Sequence, residues 1–243
     1  MLSPGIFLAI SLAFIHGFAS KLNIPTIIPH HRWISFAGGV SISYVFLEIF
    51  PELSHAQSEL EEVQVPLVAY LENHVYILAL LGVVASYGLD ILALHSRSRN
   101  KAISDVDAAS AGVFWIHIVA FAMINAIFGY LLQDLENHRL IDCILFFLVV
   151  ALHFFVMDYS LREHHQKTYD KKGRWLLTGA ILAGAGLGQA THLNESAIAI
   201  VWSFLAGNII LNVLKRELPE EQKSCFWSFL GGAILYTVML LIN

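Results

Sequence analysis

The stretch Ser35 to Glu52, SFAGGVSISYVFLEIFPE, returns as SFLAGNIILNVLKRELPE at Ser203 to Glu220. The identities are Ser35/Ser203, Phe36/Phe204, Gly39/Gly207, Ile42/Ile210, Val45/Val213, Pro51/Pro219 and Glu52/Glu220. A second match precedes each block. Gly17-Phe18-Ala19-Ser20-Lys21-Leu22-Asn23 pairs with Gly188-Gln189-Ala190-Thr191-His192-Leu193-Asn194, identical at Gly, Ala, Leu and Asn, with Ser20 against Thr191. The two offsets differ by a short loop deletion. Pro-Glu and Leu-Asn are not packing requirements of apolar helices, so their recurrence points to duplication rather than to a shared need for small residues.

Both blocks sit in apolar runs, and the whole chain is built of such runs. Of 243 residues, 57% are hydrophobic and 14% charged, and the mean hydropathy is +0.65. That composition belongs to a chain solvated by lipid. A helix needs roughly 20 apolar residues to cross the hydrocarbon. Eight stretches meet or approach that length: Pro4 to Ser20, Trp33 to Phe50, Val75 to Leu94, Ala111 to Leu132, Leu140 to Leu161, Trp175 to Ala190, Ala197 to Leu214 and Cys225 to Ile242. The expected class is all-α, a single polytopic transmembrane domain over residues 1–243. No positive region precedes the first stretch, and its first cation, Lys21, follows it, so it reads as a retained helix rather than a signal peptide.

Charge placement tests the count. Lys and Arg accumulate in cytoplasmic loops, and eight crossings put every Lys and Arg except Arg139 on one side. Both termini are then expected on the other, non-cytoplasmic side. In this topology the second helix runs outward and the seventh inward, so the duplicated blocks are inverted. The expected layout is 3+2+3: a first repeat over about 1–94, a central helix pair over about 111–163 and a second repeat over about 174–243. Inverted repeats of this kind recur in secondary transporters, where two halves exchange conformations about a central site.

The net charge of -5 comes largely from the expected outer loop with Glu52, Glu59, Glu61, Glu62 and Glu72, and no basic surface for nucleic acid exists. Cys143 and Cys225 fall near opposite membrane faces in this topology and are not expected to pair. Gly184 and Gly188 form a G-x-x-x-G face suited to close helix contact.

Ser35-Phe36-Ala37-Gly38-Gly39 leading to Phe50-Pro51-Glu52, and Phe204-Leu205-Ala206-Gly207 leading to Leu218-Pro219-Glu220, resemble the second and seventh helices of the ZIP family of divalent-metal transporters. The eight helices, outer termini and 3+2+3 layout resemble that family as well. The resemblance implies zinc or a similar divalent cation as cargo, a metal site between the fourth and fifth helices, and a homodimer. The family's motifs are eroded here. When Asn125-Ala126-Ile127 takes the place of the Asp-Gly-Leu segment, Phe121 and Ala122 stand where His and Asn are usual. Ala151-Leu152-His153 keeps its pattern, but Phe154 and Met157 stand where carboxylates or His are usual.

Ionisable groups at membrane depth are costly and read as functional by default. The candidate metal ligands are His153, Asn125, His117 and Asp158, each with a plainer reading. His153 and His117 serve equally as interhelical hydrogen-bonding imidazoles. His117, Phe121 and Asn125 share one broad face. Asp158 follows His153 by five residues, about 140° around the helix, so one straight helix does not aim both at one cavity, and an ion pair with Arg162 one turn on explains Asp158 as well. Glu48, Asp90 and His16 lie near the interfaces and are ambiguous. His30-His31 and His164-His165 read as solvated pairs.

Two functions compete: ZIP-like transport of a divalent cation into the cytoplasm, and a transport-silent ZIP-like scaffold or sensor. No nucleophile elbow, zinc-protease motif or paired aspartates point to an enzyme, and no resident cofactor is expected. The absence of any organelle signal places the chain in the cell membrane, with the lipid bilayer and a metal cation as its partners.

Overall fold

The computed structural model describes residues 3–18, 30–62, 74–105, 107–132, 140–218 and 224–242. Among these residues the structure is helical, without strands: α1 (Pro4–Phe18), α2 (His30–Tyr44), α3 (Phe50–Glu62), α4 (His74–Ser104), α5 (Ala111–Leu131), α6 (Leu140–Thr168), α7 (Arg174–Ala190), α8 (Glu195–Asn212) and α9 (Phe226–Ile242). Five helical stretches are long and apolar enough to cross a membrane: Arg32–Ser58, Val75–Ser104, Ala111–Leu131, Cys143–Ala190 and Glu195–Lys215. This differs from the eight expected spans for two reasons. α1 and α9 have 15 and 17 residues, about 22 and 25 Å of helix, short of a bilayer's hydrocarbon by length alone. And Cys143–Ala190 runs two of the expected spans together across a kink at Gln166.

That join reverses direction. Gln166 sits at φ 44, ψ -124 within α6, a conformation strained for a residue with a Cβ. Against α5, His165 lies beside His117 and Phe154 beside Phe128, which makes α6 antiparallel to α5. Gly129 faces Ile181, and Tyr130 donates to the Thr191 carbonyl, which makes α7 parallel to it.

A π-helical turn at Val45–Ile49 joins α2 to α3, with the Phe50 N–H donating to the Val45 carbonyl. Pro51 lacks an N–H and its ring crowds the carbonyl four residues back, and the wider turn gives it room. The helix therefore continues to Glu62, where the sequence predicts a loop from Glu52 onward. Two further π turns span Tyr169–Gly173 and Val213–Glu217, the latter with the Leu218 N–H donating to the Val213 carbonyl. Under the register that pairs Ser35 with Ser203, Val45–Ile49 and Val213–Glu217 coincide residue for residue. Of the repeat, Ala19 to Asn23, Pro219 and Glu220 lie outside the described residues, as do Lys21, Glu72, Arg139 and Lys223.

Packing divides the chain into two compact units, residues 1–23 with 86–192 and residues 24–85 with 193–243. In the first, α1 runs antiparallel to α7, with Gln189 donating to Ser3 at one end and Arg174 to the Gly17 carbonyl at the other. The loop after α4 meets the last turns of α6. Arg97 binds Asp107 through both Nε and Nη2, at 2.7 and 3.1 Å, and reaches Glu163 through Nη1 at 3.0 Å. The Ala109 N–H donates to the His164 carbonyl at 2.9 Å. The guanidinium holds the Asp107 carboxyl below its usual range, so whatever this exposed pair contributes is present above the ordinary carboxylate pKa and lost only as pH falls through the lowered one.

The second unit is organised by reciprocal glycines. Gly39 on α2 lies against the Phe229 carbonyl of α9, and Gly232 on α9 against the Phe36 carbonyl of α2. Ser35 accepts from the Cys225 N–H, Ser43 donates toward Ala233 and Tyr236 toward Glu48, so α2 and α9 are parallel. Likewise Gly207 on α8 lies against the Ala79 carbonyl of α4, and Gly82 on α4 against the Phe204 carbonyl of α8. Gly39, Phe36 and their contacts in α9 are thereby matched by Gly207, Phe204 and theirs in α4. Both cysteines are free thiols.

A Cβ at any of these four glycines would land on backbone rather than on a side chain that can swing away. Gly207→Ala and Gly39→Ala are expected to cost at least about 1–3 kcal/mol each. Gly88→Ala, which meets nothing within 4 Å, is expected to stabilise its helix by about 0.5–1 kcal/mol. Unfolding of the purified protein in mixed micelles measures all three, and equal stability across them would contradict this packing.

Candidate functional site

The buried polar residues of the first unit form two groups. At the centre of one is His16, 1% exposed near the end of α1. Its Nδ1 lies 2.9 Å from Asp158 Oδ1 and its Nε2 lies 2.7 Å from Asn125 Oδ1. Asn125 donates through Nδ2 to the Phe121 carbonyl at 2.8 Å, which fixes the amide so that its oxygen faces His16. Both ring nitrogens therefore face acceptors. The contact carries one proton more than a neutral imidazole beside a carboxylate, held as imidazolium against carboxylate or as imidazole against carboxylic acid. Either arrangement is neutral overall, which is how a buried pair is tolerated in low dielectric. Tyr169 donates its hydroxyl to the same Asp158 oxygen, and Phe154 stacks on the His16 ring at 4.5 Å. Asp158 Oδ2 is buried with no hydrogen-bond partner among the described residues.

The second group lies toward the end where the loop after α4 meets α6. His117 Nδ1 is 3.0 Å from His165 Nε2, and His117 Nε2 is 4.0 Å from Asp90 Oδ1. The His164 ring centroid is 6.3 Å from that of His117. Phe114 and Phe121 wall the pair, at 5.2 Å from His165 and 5.0 Å from His117.

The four sequence candidates are distributed as follows. Asn125 and Asp158 meet opposite nitrogens of His16. His117 belongs to the other group, one helical face but two turns from Asn125. His153, 3% exposed, lies among aromatic rings, 6.3 Å from those of Phe128 and Phe154. Among the described residues, no three His, Cys, Asp or Glu side chains converge to hold a metal ion. Arg162 binds Asp170 at 2.8 Å rather than Asp158, because the turn at Gln166 brings Asp170 back beside it. Asp90, 4% exposed, does not snorkel. His165 is buried rather than solvated. Sequence reading named His16 without a partner, since its partners lie 109 and 142 residues away, and passed over Tyr169, which carries no motif. An apolar groove between α1 and α6, lined by Phe7, Leu8, Ile144 and Phe147 among others, offers no chemistry.

Removing one member of the His16–Asp158 pair strands a buried polar partner. His16→Leu is expected to cost about 3–5 kcal/mol, and His16→Leu combined with Asp158→Leu to recover a large part of that loss. A double-mutant cycle of unfolding in micelles reads the difference; a double variant no more stable than the single one would show the pair is not coupled. No family model matches this chain, and neither a curated protein nor a solved structure is a significant match to it.

Proposed function

We propose that the chain is a ZIP-like carrier that moves a divalent metal cation, zinc or one of similar chemistry, across the membrane into the cytoplasm. In this reading the helices form eight spans in a 3+2+3 layout, with both termini outside. The observation that carries it is the exchanged contact in the second unit. The second helix of the first repeat packs on the third of the second, and the second helix of the second repeat packs on the third of the first, through equivalent glycines. A twofold relation between the repeats demands that exchange, whereas repeats placed side by side without one do not. The coincident π turns support the same duplication. A duplicated, inverted scaffold has two equivalent ways to arrange its halves, which is the basis of alternating access. The alternating directions of α5, α6 and α7 support the topology. The buried polar groups of the first unit, costly in lipid unless used, are the route this reading favours.

A second reading is a transport-silent scaffold. It is favoured by Phe121, Phe154 and Met157, all at most 2% exposed, filling positions where the resembled family has ligands.

Reconstituted vesicles loaded with a metal-sensitive dye separate the two readings. The carrier is expected to admit at least one of Zn, Fe, Mn, Cd, Ni and Cu faster than protein-free vesicles, with competition among the admitted ions. Folded protein that admits none of them would overturn the carrier and leave the scaffold.

A further inference from the structure

We propose that the corner where α6 turns into α7 seats the headgroup of an anionic phospholipid, with Lys167, Lys171 and Lys172 supplying the charge and Trp115 and Trp175 fixing its depth. The proposal takes from the carrier reading only that this end of the first unit lies at a membrane surface; it does not depend on transport.

The corner is positive because its acids are already taken. Glu163 receives Arg97 at 3.0 Å and Asp170 receives Arg162 at 2.8 Å, while Arg174 donates to the Gly17 carbonyl at 3.3 Å. Lys167, Lys171 and Lys172 are exposed. The ion pairs of this end go to Arg97, Lys101 and Arg162, and among the described residues none is made by those three lysines. Like charges so close in the chain repel one another, so an anion placed among them relieves that repulsion as it binds.

An anchored turn holds the lysines out. In the π turn Tyr169–Gly173, Tyr169 and Gly173 are buried. The Tyr169 ring fills the space a Gly173 Cβ would need, and its hydroxyl is bonded to Asp158. With those two positions turned inward, Lys171 and Lys172 between them face outward. Lys172 Nζ lies 5.8 Å from the centre of the Trp115 ring, and the Arg174 guanidinium carbon 5.0 Å from that of Trp175. Both indoles are exposed. Exposed indoles settle at the level of the headgroups, which puts the cations drawn onto their faces at the depth of the lipid phosphate.

The neighbouring surface commits the anion to a lipid. Ile116 and Leu176, next to the two indoles in the chain, are exposed apolar side chains, so charge and hydrocarbon-facing surface adjoin. A phosphate that carries acyl chains covers both, whereas a soluble anion covers only the charge. Basic residues beside membrane spans gather anionic lipid in this way.

Thermal unfolding of the full chain in neutral-detergent micelles, with phosphatidylglycerol or an equal amount of phosphatidylcholine added, tests the seat. Expected is a midpoint about 2–4 °C higher in phosphatidylglycerol, a gap that shrinks as salt screens the charges. Lys171→Gln combined with Lys172→Gln is expected to lose most of the gap. Lys101→Gln combined with Lys215→Gln, which removes as much charge elsewhere, is expected to keep it, and the midpoints in phosphatidylcholine show that each variant is folded. Glycerol phosphate, the headgroup without its chains, is expected to produce no gap. Equal midpoints in the two lipids for the parent protein overturn the proposal. An equal loss in the two paired variants does so as well, since general surface charge then explains the effect, and a full gap from glycerol phosphate overturns the lipid as occupant. The assay needs no metal, so the two readings fail separately: lipid preference without vesicle uptake sinks the carrier and leaves the seat, and uptake without lipid preference does the reverse.

Discussion

Backbone pressed against backbone is the constraint on which this structure depends. In lipid, burying apolar surface between helices gains little, because the surrounding tails are as apolar as the side chains, so helices associate through close fit and polar contacts. Gly39 with Gly232, Gly82 with Gly207, and Gly129 with Gly184 each remove the side chain where two helices cross. The carbonyl of one helix then occupies the space a Cβ would need on the other. On α7, Gly184 meets the Ala126 backbone directly and Gly188 is buried, while Gly186 between them faces open space.

Polar residues supply the rest of the cohesion in the first unit, and they do so by pairing. His16, Asp158, Asn125 and Tyr169 bond to one another across three helices and a turn, and His117 and His165 pair nearer the basic loops. The contacts of His16 join segments more than a hundred residues apart. A buried polar group left alone in such surroundings would cost several kcal/mol, so the groups constrain how α1, α5 and α6 can sit.

Much of the architecture was legible because it is written in local terms. Hydropathy marks helices wherever a lipid solvent requires every backbone group to be bonded internally. The side on which Lys and Arg fall depends only on counting crossings. The repeat showed itself in the blocks that end in Pro51 and Pro219, and Pro51 is preceded by a π turn that gives its ring room. Helix ends were less legible. The run of acidic residues after Glu52 reads as a loop, yet α3 carries it as helix to Glu62, because the π turn absorbs the proline that would otherwise have stopped it.

The sequence alone determined that this is an all-helical chain rich in apolar spans, with a repeated block and few ionisable groups at depth, since composition and periodicity are properties of neighbouring residues. Only the tertiary structure decided which polar residues meet. His153, the best single candidate by position, sits among phenyl rings, while His16 and His165, read as ambiguous and as solvated, became the hubs of the two buried groups. Arg162 turned from Asp158 to Asp170 for the same reason. A helix fixes the direction of a side chain only relative to its own axis, and the partner it finds depends on how separate helices rotate, cross and double back at points such as Gln166; the contacts of His16 span more than a hundred residues of chain.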